Sequence, residues 1–166
     1  MKREKVITLF TIVAITSIIF SQRTHIIERF VSIAIPKRMG LDVISSLEDG
    51  LHIALCGAGG PMPSPRSSGP CVAVIAGKQL FIVDTGTNGA RNLARMGYPP
   101  GSVRAVFLTH FHSDHIDGLG ELATMRWATA DKSTSLPVYG PQGVQSVVDG
   151  FNASYAQDFI YRNEHH

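Results

Sequence analysis

Apolar and polar positions divide the chain into two stretches of different texture. Residues 6–22 carry no charge and are mostly apolar, whereas from about residue 50 short apolar segments alternate with glycine, proline and polar residues. Several of those segments have the length and the apolar, β-branched content that are typical of strands. They are residues 51–56, 71–76, 79–83 and 103–109, with 137–139 as a shorter fifth.

Apolar residues at helical spacing separate these strands. The spacing predicts helices over 88–96 and 116–128, and a further helix that begins at Pro141 and runs to about Phe151, with residues 152–163 able to continue it. Gly77-Lys78 lies between two strands and predicts a hairpin turn. A hairpin followed by alternating strands and helices predicts a sheet covered by helices, of the α/β or α+β class.

The apolar run at the N-terminus follows the basic residues Lys2, Arg3 and Lys5. A basic head before 17 uncharged residues is typical of an export signal or a signal anchor, because that length just suffices to span a bilayer as a helix. Ile19 stands where a cleavage site needs a small residue, which favours an uncleaved anchor over a cleaved signal peptide. We therefore expect a signal anchor or signal peptide over 1–22, a juxtamembrane linker over 23–49, and a domain over 50–166 on the periplasmic or extracellular side.

The formal net charge of +2 is the sum of two unlike parts. Residues 1–40 hold seven basic and two acidic residues, net +5, and the remaining 126 hold eight basic and eleven acidic, net −3. The folded part therefore lacks the basic stripe that is typical of nucleic-acid binding, so RNA is an open but not a favoured partner. The net positive charge belongs to the arm, which favours contact with a membrane through the N-terminal helix.

The two cysteines are too few for a disulfide-framed miniprotein or a four-thiolate zinc module. Cys56 and Cys71 lie on strands on either side of a loop, residues 57–70, that is rich in glycine and proline. In an exported domain they could form a disulfide, and buried free thiols are the alternative. Within the loop, Gly59 and Arg66 are candidates for contact with an anionic substrate, with a plain connecting loop as the alternative.

Three of the seven histidines and one carboxylate fall within six positions directly after a strand. His110 and His112 are two residues apart, so an extended backbone presents both imidazoles on one side. Asp114 and His115 follow where the chain must turn and could face a second metal ion nearby. Imidazole and carboxylate together suit zinc, whereas a histidine cluster without a metal is the alternative. The pattern predicts a metal site that positions water for hydrolysis.

At these residues the chain resembles the metallo-β-lactamase-fold hydrolases, whose hallmark is His-x-His-x-Asp-His. Asp84, at the end of a strand, is similar to the aspartate with which that family supports its metal loop. The loop 57–70 is similar to the opening loop of the tRNase Z and arylsulfatase-like branch, and residues 136–141 are similar to a later strand and turn of that branch. The resemblance covers roughly residues 50–166.

The resemblance implies the first half of an αββα sandwich, in the α+β class, preceded by an N-terminal hydrophobic helix. It implies that His110 and His112 bind one zinc ion, that Asp114 and His115 bind a second, and that Asp114 also acts as general base. Two zinc ions are expected in the complete domain. The implied reaction is attack of a metal-bound hydroxide on a small anionic ester, a phosphodiester or a sulfate.

Alternatives remain at this point. A lactonase or β-lactamase-type hydrolase shares the same motif. The family also completes its site with a further histidine, a bridging aspartate and a final histidine, which are expected beyond His166. We therefore expect a partial chain, for which an inactive fragment is the second alternative. Whether the protein forms a homodimer is left open by the sequence.

Overall fold

The computed structural model describes residues 22–23, 25, 42–62, 65–130 and 134–164. The chain divides into two units, Met1–Arg38 and Met39–His166. The three described residues of the first unit are helical. The anchor expected over 1–22 lies, except for Gln22, outside the described residues, and so do His165 and His166. Within the described ranges, no helix has the length and apolar character needed to cross a membrane.

The described residues of the second unit form one mixed sheet of five strands, which lie in the order of the chain. The first three strands pair antiparallel, and the third, fourth and fifth pair parallel. The strands are β1 (Leu51–Gly57), β2 (Cys71–Ala76), β3 (Gln79–Val83), β4 (Val103–Phe107) and β5 (Val138–Tyr139).

Helices occupy the connections from β3 to β4 and from β4 to β5, and others precede β1 and follow β5. A 3₁₀ turn, Pro100–Ser102, precedes β4. Asp42 caps the N-terminus of the helix before β1, because its carboxylate accepts a hydrogen bond from the Ser45 N–H (3.3 Å). The helices are α1 (Val43–Ser46), α2 (Gly89–Arg95), α3 (Ser113–Ile116), α4 (Leu119–Thr129) and α5 (Val144–Glu164). The fold is therefore a mixed α+β structure.

The core lies between the sheet and helices α2 and α4. Alternate residues of β2 and β3 are fully buried, as expected when one face of a strand is covered. They meet apolar side chains of the two helices in one cluster. Its fully buried members include Ile75, Leu80, Ile82, Leu93, Val106 and Leu122.

The opposite face of the sheet, which we call the outer face, leaves several of its apolar side chains exposed. Leu51, Ile53 and Leu55 of β1 are 61 to 70% exposed. Further along, the ring of Phe107 stacks on that of Tyr139 with centroids 5.2 Å apart. An apolar row of this extent is unusual on the surface of a finished domain.

Cys56 and Cys71 form a disulfide, which decides between the two readings that the sequence left open. The pairing of β1 with β2 shifts between Leu55 and Gly57, and this irregularity places Cys56 beside Cys71 with their Cα atoms 5.0 Å apart. Both side chains are 1% exposed. The bond closes the two ends of the loop 57–70.

The predicted elements agree with these bounds to within a few residues. The strands over 71–76 and 79–83 are confirmed, and the strand expected over 103–109 ends at Phe107. It ends early because the Thr109 N–H donates to the Asp84 carboxylate (2.8 Å) instead of to a neighbouring strand. The helix expected over 116–128 begins at Leu119, after the separate turn α3. The domain boundaries at residues 22 and 49 stay predictions.

Candidate active site

The histidine motif leaves the C-terminal end of β4, where it joins β3 in the parallel part of the sheet. The backbone continues without regular structure to His112, whose φ of −62° and ψ of 146° are extended. Ser113 then begins α3, so Asp114 and His115 lie in a helical turn. The sequence therefore places two imidazoles on extended chain and the remaining two polar groups on the turn that follows.

Asp84 connects the end of β3 to this motif. It is 6% exposed and has a φ of +60°, in the left-handed region that Asp tolerates better than most residues. Its Oδ1 accepts hydrogen bonds from the Thr109 N–H (2.8 Å) and the Thr109 hydroxyl (3.0 Å). Its Oδ2 accepts from His115 Nδ1 (2.9 Å). One buried carboxylate thus binds both ends of the motif.

These hydrogen bonds determine which imidazole nitrogens carry protons. A carboxylate only accepts, so His115 donates from Nδ1. The Thr109 hydroxyl gives its single proton to Asp84 and therefore accepts from His110 Nδ1, 2.9 Å away. In their neutral form, both His110 and His115 therefore carry the proton on Nδ1 and present an unprotonated Nε2 away from Asp84. A neutral imidazole held in this way is a suitable metal ligand.

The four predicted ligands form two donor pairs. His110 Nε2 lies 3.1 Å from His112 Nδ1, and His115 Nε2 lies 3.6 Å from Asp114 Oδ2. The His110 and His115 rings bring the pairs together, with centroids 3.9 Å apart. Among the described residues, however, no group of three or more His, Cys, Asp or Glu side chains is arranged to hold a metal ion. The donors have the chemistry of a zinc site but do not complete one.

The segment after Asp84 packs directly against the backbone of α3. The Thr85 N–H donates to the His115 carbonyl (2.8 Å), and the Gly118 N–H donates to the Thr85 carbonyl (2.7 Å). A Cβ atom at Gly86 would lie only 2.5 Å from the Asp114 carbonyl oxygen. The close approach explains glycine at this position, since any side chain would push α3 away.

The loop 57–70 reaches this segment through its C-terminal end. The Gly69 N–H donates to the Thr87 carbonyl (3.1 Å), and the Gly86 N–H donates to the Pro70 carbonyl (2.8 Å). Gly59 lies near the N-terminal end of the loop, where its N–H donates to the Ser68 carbonyl (2.6 Å), and Arg66 is exposed. The contact with the motif is therefore made by the base of the loop. A substrate contact by Gly59 or Arg66 stays a prediction.

Sequence reasoning singled out Asp84 and the four predicted ligands, whose roles stay predictions, but overlooked Thr109. Its hydroxyl links Asp84 to His110, so it sets the orientation of the first imidazole. The available signal was a hydroxyl residue immediately before the first histidine. That hydroxyl residue indicates a role in the site only when Asp84, 25 residues earlier, is known to lie beside it.

Comparison with known proteins follows the same residues. The sequence profile described as Metallo-beta-lactamase superfamily matches residues 65–152, which include Asp84 and the whole motif. The chain belongs to the metallo-beta-lactamase superfamily. The matched range holds the histidine motif, the buried aspartate and strands β2 to β5.

Curated relatives include enzymes named ribonuclease Z. That of Mycobacterium bovis is 40% identical over 118 residues, which is 70% of this chain and 42% of the relative. That of Mycobacterium marinum is 39% identical over the same length and the same shares. The chain thus spans about two-fifths of the length of these relatives.

Two solved structures share the fold. Human tRNase Z, short form, superposes with a TM-score of 0.57 and 22% identity, over 64% of this chain and 40% of that one. A diphosphatase from the PhnP family superposes with a TM-score of 0.53 and 21% identity, over 63% of this chain and 48% of that one. At these identities the likeness concerns the fold alone.

Proposed function

We propose that this superfamily member is the motif-bearing part of a ribonuclease Z-like hydrolase that cleaves a phosphodiester bond in RNA. The observation that carries the proposal is the convergence of His110, His112, Asp114 and His115 on the end of β4, organised by Asp84. Similarity to ribonuclease Z supports RNA as substrate, although the net charge of −3 over residues 41–166 had disfavoured it. Any basic RNA-binding surface is then expected elsewhere in the protein.

Zinc is the metal that we propose for these donors in the complete domain, with His110 and His112 on one ion and Asp114 and His115 on a second. Tetrahedral zinc binds nitrogen and oxygen at about 2.0–2.1 Å, which separates two of its ligands by roughly 3.3–3.4 Å. The two donor pairs, at 3.1 and 3.6 Å, bracket that separation. When bound, such ions supply Lewis-acid polarisation of a phosphoryl oxygen.

The chain's own residues contribute orientation and proton transfer. Asp84 holds His115 with its proton on Nδ1, and through Thr109 it does the same for His110. The Asp114 carboxylate is 12% exposed and lies 3.6 Å from His115 Nε2. We assign Asp114 the role of general base, which takes the proton from the attacking water.

A second sheet packed on the outer face is the arrangement that we propose for the complete protein, which would make this chain half of an αββα sandwich. The exposed Leu51, Ile53 and Leu55 support this arrangement, because these side chains stabilise the protein only when another apolar surface covers them. The Cys56–Cys71 disulfide also supports the predicted export, because such bonds persist in oxidising compartments.

Zinc content and cleavage measured on the same preparations test the proposal. We expect His112→Ala and Asp114→Asn to lower the zinc bound by the natural protein and to reduce cleavage of a 3′-extended structured RNA by more than about 100-fold. His52→Ala is the matched control, because His52 contacts the Glu48 carbonyl (2.9 Å) and is not part of the cluster.

The choice of substrates separates the alternatives. Cleavage of bis-aryl phosphodiester and RNA, with no action on aryl sulfate or lactone, supports the proposed reaction. Lactone opening without phosphodiester cleavage would replace it with the lactonase alternative. Zinc content that is equal in wild type, His112→Ala and Asp114→Asn would remove the proposed metal ligands.

A further inference from the structure

The base of the loop 57–70 is closed by more than the disulfide. Cys56 and Cys71 join its two ends covalently. Asn92 of α2 reaches the same place, and its side-chain amide donates to the Cys56 carbonyl (2.8 Å) and to the Ser68 hydroxyl (2.9 Å). The Gly59 N–H closes the loop again by donating to the Ser68 carbonyl (2.6 Å). Both ends of the loop are thus fixed to each other and to α2.

The closed base of the loop packs against the segment that follows Asp84. The Gly86 N–H donates to the Pro70 carbonyl, one residue before Cys71. A Cβ at Gly86 would lie 2.5 Å from Pro70 N and 2.5 Å from the Asp114 carbonyl oxygen. Three stretches of backbone therefore meet at Gly86 without room for a methyl group, so a shift of one stretch must be shared by the others.

From Gly86 the connection to the motif takes one further step. Thr85 donates its N–H to the His115 carbonyl (2.8 Å) and accepts from the Gly118 N–H (2.7 Å). The Thr85 hydroxyl lies 3.3 Å from the same His115 carbonyl. These bonds hold the C-terminal end of α3, the helical turn that carries Asp114 and His115. A continuous set of short contacts thus runs from the disulfide to the motif.

We propose that Cys56 and Cys71 are positioning residues of the candidate site. Their disulfide holds the loop base against Gly86, and Gly86 in turn holds α3 in the position where the His115 ring faces that of His110. The inference rests on the proposed function only in taking the motif as the site. It adds that the donor pairs keep their arrangement only in the cross-linked chain.

Site-resolved hydrogen exchange on the full chain tests this without any activity assay. The double variant Cys56→Ala/Cys71→Ala is expected to speed exchange of the Thr85, Gly86 and Gly118 amides by at least about tenfold. Amides of the central strands, such as those of Ile82 and Val106, are expected to change much less. That local pattern distinguishes a positioning role from a general loss of stability, which speeds all of these amides together.

A matched control lies at the other end of the same strands. Lys78, in the turn between β2 and β3, donates to the carbonyls of Ile44 (3.1 Å), Ser45 (3.2 Å) and Leu47 (2.6 Å). Lys78→Met removes these bonds and is expected to leave the exchange of the Thr85 and Gly118 amides at its wild-type rate relative to β3 and β4.

A second variant covers the case in which the double cysteine variant fails to fold. Asn92→Ala removes the hydrogen bonds of Asn92 to Cys56 and Ser68 while the disulfide stays. We expect hydrogen exchange of the same three amides to become faster, by a smaller factor. Uniform acceleration across the sheet, or no change at Thr85 and Gly118 in either variant, would overturn the proposal. RNA cleavage plays no part in this result, so the two proposals can fail separately.

Discussion

Asp84→Asn is the sharpest test of how the site is organised. Asn keeps the shape of Asp84 and tolerates the left-handed backbone at φ +60°, so the change acts on charge and hydrogen bonding alone. In the wild type, Oδ2 accepts from His115 Nδ1 at 2.9 Å. The new amide would place an N–H opposite that N–H. We expect His115 to move its proton to Nε2 and to accept from the amide.

The magnitude follows from the bonds that change. A hydrogen bond to a charged group contributes about 1.5–3 kcal/mol, and the replacement bond between neutral partners contributes about 0.5–1.5 kcal/mol. With Thr109 still able to donate to the remaining carbonyl oxygen, we expect the free energy of unfolding to fall by about 1–2 kcal/mol. The larger effect is on the tautomer, because the protonated Nε2 of His115 can no longer bind a metal ion.

Urea unfolding gives the stability change, and long-range ¹H–¹⁵N spectra of the imidazoles give the tautomers. Asp149→Asn is the control: Asp149 is exposed on α5, accepts from Gln145 Nε2 (2.8 Å), and is expected to change stability by less than about 0.5 kcal/mol. The reasoning is refuted if Asp84→Asn leaves the proton of His115 on Nδ1 and unfolds at the wild-type urea concentration.

Two further substitutions test the packing around the site. Gly86→Ala is expected to destabilise the fold by about 1–3 kcal/mol, because its methyl group would meet the Asp114 carbonyl. Gly150→Ala on α5 has open space around it and is expected to stabilise the fold by about 0.5–1 kcal/mol. Thermal unfolding of the two variants measures both changes. Arg126→Met is expected to cost about 2–3 kcal/mol in urea unfolding, since the buried guanidinium donates to two backbone carbonyls, against about 0–1 kcal/mol for Arg91→Met on the surface. Equal effects within either pair would contradict the packing argument.

Local pattern was enough to locate most of the fold. Alternation of apolar residues and the Gly77-Lys78 turn determine the β2–β3 hairpin within one short segment, so its bounds were predictable. The end of β4 and the start of α4 were not, because both depend on partners far along the chain. Thr109 leaves the sheet for Asp84, and Gly118 donates to Thr85.

The site divides in the same way. The spacing of the four predicted ligands and the strand-end position of Asp84 are properties of the sequence. The imidazole tautomers are not properties of the sequence, because they depend on contacts between residues that are far apart along the chain. These contacts are the hydrogen bonds that link Asp84 through Thr109 to His110, and the hydrogen bond between Asp84 and His115, 31 residues apart. The disulfide was likewise undecided, since it requires the shift in pairing between Leu55 and Gly57 that places Cys56 beside its partner.

Two independent features bear on how much of the protein is needed for the proposed activity. The donors form pairs, and a four-coordinate zinc ion needs more ligands than either pair supplies. The outer face exposes three aliphatic side chains of β1, and full burial of each would stabilise the protein by about 1.5–3 kcal/mol. The motif lies at the end of β4, whose Phe107 belongs to that same face. A single apolar layer packed there could therefore cover the face and bring further ligands to the motif, which explains why the two features occur together.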